Sequence, residues 1–224
     1  MHYRLREGLY HCIAGQNVIF LDLPKGRYFA LSFPATHIFR QLAARNGETF
    51  AGVEEALSSL VNAGYLLEAT ERDPNFDIMG IQAPSGDASR RDHGPFRLWP
   101  LLVALYSDLL TSLRIRLHPL DSVLARSGML TRAAGGDEPD SQPELDLWVS
   151  AFDRAALILG RTNRCLTRSL AMFSVLRARG VAANLVIGVR SEPFSAHAWV
   201  QYQDVVLNDT FGQVNNYSPI LVLR

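Results

Sequence analysis

The run RCLTRSLAMFSVLRARGVAANLVIGVRSEPFSAHAWVQYQDVVLND, residues 164 to 209, carries a helix, three strands and three reactive side chains in unbroken succession. Behind Cys165, the apolar residues Leu166, Leu170, Phe173 and Leu176 recur at helical spacing, and Gly180 stands where a helix end favours glycine. The segments 183–189, 196–202 and 205–209 are short apolar runs separated by Ser191-Glu192-Pro193 and Gln203-Asp204, and they read as strands. A helix followed by neighbouring strands makes this an α+β domain.

A cysteine taken alone is more often an inert, partly buried thiol than a nucleophile. Cys165 differs by position, because a helix N-terminus presents unpaired N–H groups and the positive end of the helix dipole, both of which favour a thiolate. Arg161, Arg164 and Arg168 lie close enough in sequence to lower its pKa further, although a basic stretch beside a helix is usually only a solvated face. His197 sits between Ala196 and Ala198 inside an apolar strand, where an imidazole needs a partner. Asp209 follows the next strand and could equally be a turn former. The three fit the order Cys, His, Asp of a cysteine-protease triad, with Cys165 as nucleophile, His197 as proton carrier and Asp209 as its orienting carboxylate. The Cys165 N–H is the natural first oxyanion donor; for the second, Asn163 can be named, though an Asn before a helix is more often a cap.

The triad makes a demand on register. A three-residue loop at Tyr202-Gln203-Asp204 would pair Gln201 with Val205 and set His197 opposite Asp209, with Trp199 and Leu207 on the same face. A two-residue turn at Gln203-Asp204 would send the two side chains to opposite faces.

Outward from this run, 22 basic and 22 acidic residues cancel, which leaves none of the electrostatic footprint that nucleic-acid binding requires. The content is 48% apolar and 20% charged, as in a folded globular chain. The two cysteines, Cys12 and Cys165, form no metal-binding pattern, and no metal or other cofactor is expected. Cys12 is expected to be packing. The N-terminus lacks a secretory pattern, and the apolar stretch 98–106, interrupted by Pro100, is about half a membrane span. A cytoplasmic protein is the expectation.

The first third reads as a three-stranded meander, 9–13, 18–22 and 27–32 with a turn at Pro24-Lys25-Gly26, followed by helices. Pro34 opens one helix; Thr49 can cap a second, 51–62, with Val53, Leu57, Leu60 and Val61 at helical spacing. This is a small winged-helix-like module, but the presumptive recognition helix carries Glu54 and Glu55 and no Lys or Arg, which disfavours a transcription factor. The segment 73–95, with Pro74, Pro84-Ser85-Gly86 and Gly94-Pro95, has the composition of a linker between a domain at 1–72 and one at 96–224. In the second domain, helices are expected over 98–114 and 145–159, with a polar loop containing Gly135-Gly136 and Pro139 between them.

With these residues in view, 164–166, 179–181, 185–189, 192–194, 196–200 and 207–209 closely resemble the B-type peptidases of lasso-peptide biosynthesis, over roughly residues 145 to 218. The N-terminal module is similar to the leader-recognition element of the same systems. The resemblance implies a fused protein without a cofactor, whose first domain holds the leader of a ribosomally made precursor. Its second domain, transglutaminase-like or papain-like in fold, cuts the leader away through the Cys165, His197 and Asp209 triad. It implies two partners, the lasso precursor peptide and an ATP-dependent lasso cyclase, and a leader that adds as a strand beside Tyr28, Phe29, Leu31, Leu57, Leu60 and Val61. At least half of those six must instead be core, because strand side chains alternate faces. A non-catalytic peptide-binding scaffold and an acyl or amide transferase on the same fold are the alternatives.

Overall fold

The computed structural model describes residues 1–71, 76, 80–88, 96–126, 142–160 and 162–224. The polar loop around Gly135-Gly136 and Pro139, Arg161, and the greater part of the segment 73–95 lie outside the described residues. The chain forms two compact units. One comprises Met1–Gly80 with Val189–Ser195 and Ser218–Leu221, and the other Ile81–Gly188 with Ala196–Tyr217 and Val222–Arg224.

In the first unit, β2 (Leu9–Ala14), β3 (Asn17–Asp22) and β4 (Arg27–Ala30) form the expected antiparallel meander. Ala14 pairs with Asn17 across Gly15-Gln16, and Gly15 supplies the positive φ of 61° that a two-residue hairpin requires. A second small sheet was not expected. In it β1 (His2–Leu5) pairs antiparallel with β5 (Leu66–Ala69), from His2 opposite Ala69 to Leu5 opposite Leu66.

Helix α1 (Phe33–Ala44) opens with proline in its first turn and buries Phe39 and Leu42 completely. The core forms around Phe20, which stacks on Phe29 at 5.0 Å and meets Phe39 edge-on at 4.9 Å. The single helix expected over 51–62 is two short ones, α2 (Val53–Ala56) and α3 (Ser58–Asn62), broken at Leu57. Thr49 caps neither, because its hydroxyl donates to the Met1 carbonyl at 3.0 Å and Gly52 occupies the N-cap of α2. The break lets Leu57 turn fully inward and join the core.

In the second unit, three long helices, α4 (Leu98–Leu117), α6 (Gln142–Leu159) and α7 (Cys165–Arg177), pack on one another, with α5 (Leu120–Arg126) beside α4. Pro100 sits in the first turn of α4, where its missing N–H costs no hydrogen bond, so the helix runs well past the proline. Among the described residues, α4 is the one helix long and apolar enough to cross a membrane by length and composition, and Trp99, Leu102, Tyr106, Leu109 and Leu113 are exposed along it. Helix α7 is buried almost all round from Ser169 to Leu176, as a central helix should be.

The sheet has five strands in the order β10-β7-β8-β9-β6: β6 (Gly86–Asp87), β7 (Asn184–Ser191), β8 (Phe194–Tyr202), β9 (Val205–Val206) and β10 (Ser218–Leu223). Strand β7 is buried from Leu185 to Val189 without alternation, which reads as an interior strand covered on both faces. Residues 80–88 correct the linker expectation for the part of 73–95 that is described. Gly86 and Asp87 pair parallel with Val205 and Val206, the Gln82 carbonyl accepts from the Gln201 side chain at 2.7 Å, and Ala88 is fully buried. Prolines and glycines there mark a short edge strand rather than free chain.

Candidate active site

Cys165 is the first residue of α7, as its position before the apolar stripe suggested. His197 lies in β8, and Asp209 lies beyond β9. The imidazole Nε2 and Asp209 Oδ2 are 2.7 Å apart, and the imidazole is also hydrogen-bonded to the Cys165 thiol. The three side chains thus form one connected line from sulfur to carboxylate. The imidazole and carboxylate are largely shielded, their side chains 13% and 19% exposed.

The electrostatics follow from that geometry. The hydrogen bond to His197 lowers the Cys165 pKa, against the opposing effect of burial, and the His197 charge and the backbone groups of Ala198 and Leu166 assist. Burial on its own disfavours the imidazolium, yet hydrogen bonds to Asp209 and Cys165 and their charges outweigh it and carry His197 up to about 9. For Asp209 burial acts upward, but the His197 hydrogen bond, the Thr210 N–H and the charges of His197 and Arg168 hold the carboxyl below its usual range. Such a site stabilises a thiolate–imidazolium pair.

The register is not the one the triad was expected to need. Tyr202 pairs with Val205 and Gln201 with Val206, so the turn is the two-residue Gln203-Asp204, with Gln203 at a φ of 53°. Continued regularly, that ladder would set Asp209 opposite Ala198, on the face away from His197. The strand expected over 205–209 ends instead at Val206, and the chain bends through residues 207–209. After Leu207 donates to the Val200 carbonyl at 2.9 Å, the Asn208 side chain takes over the next ladder position, its Oδ1 accepting from Val200 N–H at 2.8 Å.

Arg164 and Arg168 have other partners than the one expected of them. Arg164 is ion-paired with Asp108, a carboxylate 2% exposed on α4, which ties the start of α7 to that helix. Arg168 donates to the Asn208 carbonyl at 2.6 Å and acts on Asp209 rather than on the thiol. Asn163 is exposed in a left-handed conformation, φ 56°, and α7 has no side-chain cap. Sequence reading missed Asp108, Ser169, Asn208 and Tyr217, whose ring centroid lies 5.1 Å from that of His197. The spacing of Ser169 one turn after Cys165, and of Asn208 directly before Asp209, was the available signal.

Cys12 is fully buried in β2, and burial pushes its thiol up to about 12, which leaves it inert. Of the six residues named for strand addition, Leu57 and Leu60 are core. Phe29, Leu31 and Val61 are partly buried against that core, and Tyr28 is half-buried on the alternate face of β4. Among the described residues, no group of three His, Cys, Asp or Glu side chains could hold a metal ion.

A helix-terminal thiol, an imidazole on a neighbouring strand and a carboxylate behind it is the arrangement of thioester-forming enzymes. The chain belongs to the transglutaminase-like superfamily, whose sequence model matches residues 109–222, just over half of its length. It is also similar to the Microcin J25-processing protein McjB of Escherichia coli, 49% identical over 45 residues, or 20% of this chain and 22% of that protein. The match therefore spans about a fifth of the relative's length. No solved structure matches the chain.

Proposed function

We propose that this chain is a cytoplasmic lasso-peptide leader peptidase, with a winged-helix-like leader-recognition element at its N-terminus and a Cys165–His197–Asp209 protease in its second unit. The observation that carries the reading is the thiol at a helix N-terminus hydrogen-bonded to an imidazole whose Nε2 lies 2.7 Å from a carboxylate. Similarity to a processing protein supplies the substrate class.

In this reaction the Cys165 thiolate attacks the scissile carbonyl carbon, forming a C–S bond and a tetrahedral oxyanion facing the Cys165 N–H. The C–N bond breaks as the His197 imidazolium gives its proton to the departing amine. His197 then takes a proton from water, the hydroxide attacks the thioester, and the leader leaves as a carboxylate while the thiolate is regenerated. Asp209 keeps the ring oriented and its charge favourable. The superfamily name favours one second reading, in which an amine rather than water accepts the acyl group.

Mass spectrometry of a lasso precursor encoded beside this gene, incubated with wild type or Cys165→Ala, with and without the lasso cyclase, tests the proposal. Leader release with a gain of water, present in wild type and lost in Cys165→Ala, is expected. An amine adduct would mark transfer, and no Cys165-dependent product in any mixture would leave a peptide-binding scaffold.

A further inference from the structure

Asn208 uses its side-chain amide and its main-chain carbonyl on the two elements that bear the thiol and the imidazole. Its Oδ1 accepts from Val200 N–H at 2.8 Å, and its Nδ2 donates to Ser169 Oγ at 2.8 Å. Its main-chain carbonyl accepts from Arg168 at 2.6 Å. Ser169 completes the circuit by donating to the Ala198 carbonyl at 2.8 Å. Ser169 and Asn208 are both buried, at 0% and 6% exposed, so the bonds that their side chains make are shielded from water. Ser169 stands one turn along α7 from Cys165, and in β8 Ala198 directly follows His197, with Val200 two residues beyond it.

We propose that Asn208 is a positioning residue that reverses the facing set by the strand register, replacing a main-chain ladder bond with its side chain so that Asp209 reaches His197 beside Cys165. Without that substitution, the pairing of Tyr202 with Val205 carries Asp209 to the other face. The three ties from Asn208 to α7 and β8 fix the bend at the one place where it brings the carboxylate round. The inference rests on the triad reading and deepens it. Asn208 itself touches no reacting atom; it acts through Asp209.

The test needs no precursor. The rate of Cys165 alkylation by iodoacetamide is followed across pH in wild type, His197→Ala, Asn208→Leu and Ser169→Ala, with Cys165→Ala as blank and circular dichroism as the check on folding. The titratable and charged groups beside the thiol–imidazole pair are Asp209, with Arg168 behind it, and Tyr217, whose ring centroid lies 5.1 Å from that of His197. In wild type, alkylation should persist well below the range of an ordinary thiol and lose that feature in His197→Ala. Asn208→Leu should move the profile in the same direction, with a roughly tenfold slower reaction at neutral pH as the thiolate fraction drops. Ser169→Ala, which removes one of the three ties, should move it less, and it decides the matter if Asn208→Leu does not fold. Folded Asn208→Leu and Ser169→Ala proteins that are less stable yet keep the wild-type profile would overturn the proposal and leave the triad standing. A wild-type profile unaffected by His197→Ala would overturn the triad, and the proposal with it.

Discussion

His197 is hydrogen-bonded to both Asp209 and Cys165, so the protonated ring has two partners while the neutral ring must give up one of its donors. The consequence is a defined pH window. The thiolate–imidazolium pair is populated above the lowered pKa of Cys165 and below about 9, where His197 releases its proton. Cleavage measured as kcat/KM should therefore fall on the acid side as the thiolate is protonated, and on the alkaline side near pH 9 as the proton needed by the leaving amine is lost. Asp209→Asn removes a charge that raises His197, so its alkaline limb should move to lower pH. An unmoved limb would separate the carboxylate from the catalytic proton. At this scale the residues were legible because each carries its chemistry locally: a thiol at a helix start, an imidazole in an apolar strand, a carboxylate after a strand. Their facing was not legible, because a side-chain amide stands in for a backbone group at Asn208, and no period of two records that.

Among the elements, β7 and β8 meet the site through aromatic packing. Gly188 has no Cβ to collide with Trp199, and a methyl there would lie 2.8 Å from two ring carbons of Trp199 and 3.0 Å from Tyr217 Cβ. Both rings neighbour His197, with centroids 6.3 and 5.1 Å away. Gly188→Ala is thus expected to destabilise the protein by about 1–3 kcal/mol through overpacking. It should also slow Cys165 alkylation by displacing the rings that frame the imidazole; denaturant titration and alkylation rate check the two effects. The long apolar helices and the meander were readable from their periods. Strands β1, β5, β6 and β10 were not, since each owes its existence to a partner distant in sequence or to neighbours that bury it, such as Leu66 of β5 against the core. Composition misled at Pro84-Ser85-Gly86, where turn-forming residues lead directly into β6.

For the molecule as a whole, two units with separate cores suit the proposed division between holding a substrate and cutting it. The two cysteines are divided in the same way, one in each unit, with unequal chemistry. Cys165 is expected to react from the native state, whereas Cys12, buried and with its thiol pushed up to about 12, is expected to meet a reagent only when the sheet of the first unit opens. A native sample is expected to take up one alkyl group and a denatured sample two, as read by intact mass; a second native label appearing as fast as the first would contradict the buried placement of Cys12. The wild-type chain therefore contains its own clock. Once Cys165 is blocked, the slow appearance of label at Cys12 measures how often the first unit breathes open, and a ligand that occupies that unit should lengthen the interval in proportion to its binding.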